Sequence, residues 1–394
     1  MNSKLLFCLF ILATLSVGCV SEFKADLPSN DEQILVVDGS IMENTDVLFY
    51  LSKSFSMDSL YNPSKVFDID AVITIVGSDG SKSLPATYRG NGVYAIHTGT
   101  LDDNVKYGVQ IEYDGETYQS TPAKPLFTPE IDSISWIQPQ EAGPLLFRVS
   151  THDNSTAEAK FFFWDYKEDW EITPEYFVTY FLDPKTNTFF NVFPAPYYYC
   201  WKNNVSNRYL IGSTESLKEN RIINHQLYQG DQVDNRFSVL YCVTVNQKAI
   251  SKGAYDYYQN RIKVNEEMGG LFSPLPSEAI GNITCITNSS KKAMGYVEVT
   301  KNTTQKRIFV YPTQITRPHY YSDCITISND SVLTILDEMG GTYADFYARG
   351  YRPITYSSPI AFDTPSEWVL APCTDCLAKG GTKAKPDFWP NDDQ

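Results

Sequence analysis

A run of acidic and aromatic residues near the middle of the chain has the side chains that cleavage of a glycosidic bond would need. The run reads WDYKEDWE, from Trp164 to Glu171. Glycoside hydrolysis uses two carboxyl groups several ångströms apart, one of them with a raised pKa. On a strand, Asp165 and Asp169 would share one face and the tryptophans the other. The alternative, which we favour, is a solvated strand face with tryptophans in the core.

A second run has the densest aromatic content of the chain and could bind a ligand by stacking. It reads PAPYYYCW, from Pro194 to Trp201. Aromatic faces stack on sugars and peptides, so a surface loop here would form a binding platform. The alternative, which we favour, is that the rings fill the core around a disulfide of Cys200. The ligand-binding candidates are Tyr197, Tyr198, Tyr199 and Trp201.

The cysteines could serve lipidation, disulfides or metal binding. Of the eight, Cys8 lies in an apolar start and Cys19 ends it. An even number of the rest, in an exported chain, favours disulfides, with fifteen possible full pairings. Cys373 and Cys376 form a CxxC, but the sequence has no second CxxC and no nearby histidine, so bridges are preferred to a zinc site. The remaining six are Cys200, Cys242, Cys285, Cys324, Cys373 and Cys376.

The sequence has no recognisable catalytic or cofactor-binding motif. It contains no GxSxG, HExxH, Walker loop or GxGxxG, and its four histidines lack metal-like spacing. We therefore predict no catalytic residue, no metal and no cofactor. The net charge of −15 and the pI of about 4.7 argue against binding of nucleic acid, because an acidic surface repels a phosphate backbone.

The first 31 residues predict export and anchoring. A short positive start precedes the apolar stretch from Leu5 to Leu15, which is too short to span a bilayer. The ending Gly18-Cys19 resembles a bacterial lipoprotein signal, although Ser16 stands where leucine is usual. We expect residues 1–18 to be the signal peptide, Cys19 to be lipidated and residues 19–31 to form a polar tether. The alternative is an ordinary secretory peptide cut nearby.

The elements that must position these residues are mainly strands. Between residues 32 and 125, six or seven short apolar-alternating segments are separated by turns such as Asp114-Gly115, and Pro122, Pro125 and Pro129 mark the exit. This spacing is typical of an immunoglobulin-like β-sandwich.

Residues 126–394 also consist mostly of strand patterns, with two predicted helices. One helix is capped by Ser251 and runs to about Met268; the other runs from Asp330 or Ser331 to Met339, and a Gly-Gly pair follows each. We therefore predict a mainly β protein, with a larger β-rich, α+β domain after the sandwich.

The C-terminal sequence is the most specific feature. Cys373–Thr382 followed by Pro386–Pro390 resembles the ending of a Bacteroidota lipoprotein family described as domain of unknown function 4249. Further stretches agree with the family in the same order: Val37–Ile41, Tyr118–Thr121, Cys200-Trp201, Ser251–Tyr258, Phe272–Ser277, Gly281–Cys285 and Gly295-Tyr296.

The resemblance implies an outer-membrane lipoprotein, typically encoded beside a TonB-dependent transporter, and no agreed catalytic residues. We therefore expect a non-enzymatic accessory or ligand-binding subunit of such a transporter, with a glycan or peptide as a possible ligand. The alternatives are a carboxylate-dependent glycan-degrading enzyme and a purely structural envelope lipoprotein. Glu22 is the only acid just after Cys19, which leaves open the face of the membrane.

The same resemblance guides the expected disulfides. It favours a Cys200–Cys285 bridge and a bridge from Cys324 to Cys373 or Cys376. Cys242 falls outside the family pattern and could be a buried free thiol on its strand.

Overall fold

The computed structural model describes residues 34–54, 67, 69–154, 159–267, 281–317, 323–354 and 365–390. Within these ranges the chain is mainly β, as predicted, with 23 strands and three α-helices. Cys19, together with the predicted signal peptide and tether, lies outside the described residues.

Two sheets packed face to face form the first unit, the N-terminal sandwich. Its strands are β1 (Leu35–Met42), β2 (Asp46–Lys53), β3 (Ala71–Gly77), β4 (Thr87–Gly90), β5 (Val93–His97), β6 (Tyr107–Tyr113), β7 (Glu116–Ser120), β17 (Ile283–Cys285), β18 (Ala293–Met294) and β19 (Val297–Thr300). The sheet orders are β18-β1-β2-β5-β4, with β19 also on β1, and β17-β7-β6-β3. Val47, Phe49 and Leu51 alternate with exposed neighbours and face the core. The predicted immunoglobulin-like sandwich is confirmed.

The N-terminal sandwich also takes strands from far along the sequence, beyond the predicted boundary at residue 125. Strand β1 pairs in parallel with β18 and β19, and β17 pairs antiparallel with β7. Gly295 enters this sheet with φ +123°, and a Cβ there would lie 1.8 Å from the Val37 carbonyl oxygen. The close approach of the two segments therefore requires glycine.

The second unit, the C-terminal sandwich, holds the acidic-aromatic run. Its sheets have the orders β13-β10-β16-β20, with β14 also on β10, and β15-β9-β8. Phe147, Trp164 and Val243 are fully buried between them. The strands are β8 (Ile131–Ile137), β9 (Leu145–His152), β10 (Phe161–Ile172), β13 (Cys200–Val205), β14 (Leu210–Ser213), β15 (Arg221–Gly230), β16 (Tyr241–Ala249) and β20 (Thr304–Val310).

The predicted long helix packs beside β10 and touches the N-terminal sandwich. This helix, α1 (Lys252–Glu267), begins where predicted, because the Ser251 hydroxyl accepts the N–H of Ala254 at 3.1 Å. Glu298 of β19, which is buried, accepts the Ser251 backbone N–H at 3.2 Å and its hydroxyl at 2.9 Å. Burial raises the pKa of Glu298. The charge of Lys248 and the hydrogen bonds from Ser251 offset part of this rise.

A smaller third unit, the cap unit, packs around the buried indole of Trp368. Its elements are β11 (Tyr180–Asp183), β12 (Thr188–Asn191), β21 (Ile327–Ser328), α2 (Asn329–Met339), α3 (Tyr343–Ala348), β22 (Tyr351–Ile354) and β23 (Glu367–Leu370). Helix α2 was predicted; Ser328 caps its start and Gly340, at φ +62°, ends it. Helix α3 was not predicted, because six residues are too few for a periodic signal.

Candidate functional site

Seven aromatic rings lie on and beside the cap unit, on the β11–β12 hairpin and the segments that flank it; we call them the aromatic surface. Strands β11 and β12 form a hairpin whose register pairs Phe181 with Phe190. Because strand side chains alternate, Tyr180 and Leu182 point to the buried side while these two phenylalanines point away from it. The seven rings are Phe177, Phe181, Phe190, Phe193, Tyr197, Tyr198 and Tyr199.

Six of the seven rings contact at least one other ring, in two groups of three. The ring centroids of Tyr197 and Phe181 are 5.7 Å apart, and those of Tyr198 and Phe177 are 4.9 Å apart. Tyr198 also contacts Tyr199, at 4.8 Å. This packing restricts the rings that take part in it, which lowers the entropic cost of binding through them.

Most of these rings are open to solvent. Phe193 is 84% exposed, Phe177 56% and Tyr199 44%. The preferred interpretation of the aromatic run, that its rings fill the core, is therefore wrong for Tyr197 and Tyr199, which lie on the surface. The binding role of the rings stays a prediction.

Trp201, the fourth ligand-binding candidate, lies apart from this surface. It is half-buried on β13 and packs in a cluster that includes Leu240, Cys242 and Trp389. The Lys385 ammonium sits 5.9 Å from its ring centroid. Trp201 thus belongs to the outer face of the C-terminal sandwich.

Residues 371–390, near the C-terminus, pack along the edge of β13. We call this segment the C-terminal clamp. The disulfide Cys200–Cys376 fixes it on one side of the strand. Trp201 and Thr382 exchange two backbone hydrogen bonds of 2.9 Å along the edge, and Trp389 is buried against the other side. A Cβ on Gly381 would lie 2.6 Å from the Cβ of Cys200, so glycine permits this contact.

The clamp also positions the aromatic surface. The backbone N–H of Cys376 donates to the carbonyl of Tyr197 at 2.9 Å, and the Lys383 ammonium donates to the carbonyl of Tyr199 at 2.5 Å. The loop that presents these tyrosines is therefore held by the disulfide and by two bonds from the clamp.

The observed disulfides correct one expectation and confirm another. The expected Cys200–Cys285 bridge is wrong: Cys285 is a buried free thiol on β17, inside the N-terminal sandwich, and Cys200 pairs with Cys376. The expected bridge from Cys324 to one cysteine of the CxxC is confirmed, with Cys373 as the partner.

Cys242 is also a buried free thiol on its strand. Burial raises its pKa to about 12, so the thiol stays protonated and unreactive at neutral pH.

Loss of the Cys200–Cys376 bridge should destabilise the oxidised protein. We expect Cys376→Ser to lower the free energy of unfolding by about 2–4 kcal/mol, because the bridge joins residues separated by 176 positions and so restricts the unfolded chain. Urea denaturation followed by tryptophan fluorescence measures this loss. In dithiothreitol the difference from wild type should shrink to near zero; equal midpoints under oxidising conditions would contradict the prediction.

The acidic-aromatic run is much less solvated than expected. Trp164 is buried in the core as predicted, but Glu168, Asp169 and Glu171 are also buried, each at most 8% exposed. Glu171 accepts the indole N–H of Trp389 at 3.2 Å, so the clamp covers this part of the strand. The prediction that this strand face is solvated is therefore wrong for Asp169 and Glu171.

Each remaining carboxylate of the run also has a partner. Asp165 accepts the Asn246 amide at 2.6 Å, and Asp169 pairs with Lys167 at 2.9 Å. Glu168 points to the opposite face of the strand, where it pairs with Arg236 at 2.5 Å.

Two further properties concern only the described part of the chain. Across residues 34–390, outside the gaps given above, no three His, Cys, Asp or Glu side chains are grouped as they would be to hold a metal ion. The helices described there are all too short or too polar to span a membrane.

Comparison with known proteins gives a family but no function. No curated protein matches the chain. Among solved structures it is similar to a two-domain fibronectin type-III segment of chicken tenascin, at 12% identity over 55% of this chain and 91% of that one, with a TM-score of 0.17. It is also similar to the adhesin InvE of Yersinia pseudotuberculosis, at 12% identity over 55% of each chain, with a TM-score of 0.16. Such low TM-scores support no functional argument.

The family comparison covers far more of the sequence. The family described as domain of unknown function DUF4249 matches residues 20–306, well over half of the 394 residues. The predicted resemblance is thereby confirmed at the level of the family; the match includes the stretches from Val37–Ile41 to Gly295-Tyr296, and the C-terminal stretch lies beyond the matched residues. The chain belongs to the DUF4249 family.

Proposed function

We propose that the protein is a non-enzymatic, outer-membrane-anchored lipoprotein that binds a nutrient and serves as an accessory subunit of a TonB-dependent transporter. Cys19 would receive the lipid, and residues 19–31 would tether the folded units to the membrane. The aromatic surface would contact the nutrient. The single observation that carries this proposal is the exposure of the aromatic surface.

Exposed rings at this density support recognition because they are costly in water. Leaving a phenylalanine side chain in solvent forgoes about 1.5–3 kcal/mol that burial would contribute. Phe193, Phe177 and Phe190 are each at least 46% exposed, and they are close in sequence on one hairpin and its flanking loops. Contiguous exposed apolar patches are typical of binding surfaces.

The disulfides and the buried carboxylates support the other parts of the proposal. Bridges persist in oxidising compartments, which suits an exported protein. The non-enzymatic role is supported by Glu168, which is buried and paired with Arg236, so a substrate would have to displace an existing partner.

Copurification tests the association with a transporter. The full-length protein, tagged at its C-terminus and extracted from membranes in a mild detergent, should bring down a TonB-dependent transporter. The Cys19→Ser variant, which cannot be acylated, should lose most of the transporter because the chain is no longer held at the membrane. Absence of any transporter from the wild-type preparation in mild detergent would contradict the accessory role.

The transporter so identified then allows a test of the aromatic surface. Cells carrying Phe193→Ser with Tyr199→Ser should take up the nutrient of that transporter several-fold more slowly than wild type. Cells carrying Tyr50→Ser with Tyr88→Ser, which remove two rings of about 50% exposure from the N-terminal sandwich, are the matched control and should behave as wild type. Equal uptake by the two variants would argue against recognition by these rings.

A further inference from the structure

Four lysines lie on β13 and on the C-terminal clamp that holds the tyrosine loop of the aromatic surface; we call them the lysine row. They are Lys202 on β13 and Lys379, Lys383 and Lys385 on the C-terminal clamp. Lys383 reaches the carbonyl of Tyr199, and Lys379 donates to the carbonyl of Thr173 at 3.1 Å. Lys202 lies beside Gly380, at the turn of the clamp. The disulfide-fixed clamp thus brings the Lys383 ammonium to the loop of the exposed tyrosines, while Lys385 lies over the ring of Trp201.

The lysine row is not neutralised by ion pairs within the described residues. The structure shows none of its four lysines within ion-pair distance of a carboxylate there, although Glu175 lies near enough to Lys379 to act on it electrostatically. Asp375, on the same clamp, accepts the N–H of Leu377 at 2.7 Å. In a chain with a net charge of −15, four lysines left without carboxylate partners form a local site for anions.

The neighbouring rings restrict the anions that would fit. Tyr197 and Tyr199 offer aromatic faces with hydroxyl groups directly beside the clamp, and both are more than one third exposed. Sugar rings stack on such faces, and several separate ammonium groups suit a polymer that carries one acid on each of successive rings. Charge and ring chemistry together favour an anionic sugar chain.

We propose that the lysine row and the adjacent tyrosines bind an anionic polysaccharide, one that carries carboxylate or sulfate groups. This inference rests on the proposed function, since it names the chemical class of the nutrient. The lysines would pair with the acid groups, and Tyr197 and Tyr199 would stack on the sugar rings.

Binding to defined polymers tests the inference. The mature chain with Cys19→Ser, which stays free of lipid, is titrated with polygalacturonate, dextran sulfate and uncharged dextran by calorimetry. We expect binding to at least one charged polymer, weakening as salt is added, and no binding to dextran. Replacing all four lysines of the row by glutamine should weaken this affinity about tenfold or more, because each exposed charge pair contributes a modest amount. Tyr197→Ser with Tyr199→Ser should weaken it about tenfold.

The control variant removes the same number of positive charges, but from lysines outside the row. Lys82, Lys106, Lys124 and Lys218 are exposed lysines remote in sequence from the row, and their replacement by glutamine should leave the affinity unchanged. Failure of both charged polymers to bind, equal losses in the two lysine variants, or binding only to vesicles of phosphatidylglycerol would each overturn the inference. A transporter that still copurifies in those cases would leave the accessory role standing.

Discussion

Residues 34–125, expressed alone, should fail to fold, although the sequence predicts a domain boundary at their end. The fragment lacks β17, β18 and β19, and therefore the buried side chains of Ile283, Val297 and Val299. Burial of three such side chains contributes about 5–9 kcal/mol, which is comparable with the whole stability of a typical domain. Strand β1 would also lose its parallel partners and expose an unpaired edge. We expect aggregation or a denatured-like circular dichroism spectrum without a cooperative thermal transition.

A chimera tests whether the loss of β17, β18 and β19, and not truncation itself, prevents the fragment from folding. Ser120 pairs with Ile283 in an antiparallel register, so a loop of about four Gly and Ser residues can join residue 121 to residues 282–301. This chimera should unfold cooperatively. The same chimera with Val297→Asp and Val299→Asp, two positions that are each 1% exposed, is the matched control and should not fold. Cooperative unfolding of the bare fragment would refute the requirement for the three strands.

The example shows which features of the fold a sequence pattern can predict. Local features were predicted well: Ser251 caps the long helix as predicted, and the second helix ends at Met339 as predicted. These depend on residues a few positions apart. The pairing of Gly39 with Val297 depends on residues more than 250 positions apart, and a short apolar run such as VEVT has no pattern that names its partner.

The candidate site was predicted only in part, for the same physical reason. The tyrosines of the aromatic run are conspicuous in sequence, but whether a ring is buried depends on what packs over it. The clamp covers Trp201 and leaves Tyr199 open. Phe177, Phe190 and Phe193 were not proposed as candidates, because scattered phenylalanines in a β-rich sequence usually indicate core. The Asp183-Pro184 turn signal between two short aromatic runs could have indicated the hairpin that places Phe181 and Phe190 on one face.

The disulfide pairing is the clearest case of a feature that the sequence alone could not predict. Spacing alone leaves fifteen pairings for six cysteines. The choice between Cys285 and Cys376 for Cys200 depends on where β17 lies, and β17 joins the N-terminal sandwich by pairing with a strand about 165 residues earlier. No property of Cys285 or its neighbours in the sequence reports that location.

Glu168 organises a buried polar network inside the C-terminal sandwich. Its carboxylate accepts the Tyr241 hydroxyl at 2.7 Å, the Asn204 amide at 3.0 Å and the Arg236 guanidinium at 2.5 Å. Tyr228 lies 2.6 Å from the Tyr241 oxygen. Burial raises the pKa of both tyrosines well above its usual range, so both hydroxyls stay protonated; Tyr241 donates to Glu168 and Tyr228 donates to Tyr241.

Removal of this carboxylate should destabilise the protein strongly. Glu168→Ala leaves the Tyr241 hydroxyl and part of the Arg236 charge without their acceptor in a buried site, so we expect a loss of about 3–5 kcal/mol in the free energy of unfolding. The loss should lie toward the lower end of this range, because Arg236 would keep its ion pair with Asp234, at 2.8 Å.

Three matched variants test this account by urea denaturation. Glu112→Ala removes an exposed carboxylate from β6 and should change the free energy of unfolding by less than about 0.5 kcal/mol. Arg236→Met should also destabilise the protein, since it leaves Glu168 with an uncompensated buried charge. The double variant Glu168→Ala with Arg236→Met should cost clearly less than the sum of the two single variants, because neither charge is then left behind. Additive losses would mean that the two side chains act independently, in which case the carboxylate would contribute mainly through Tyr241 and Asn204.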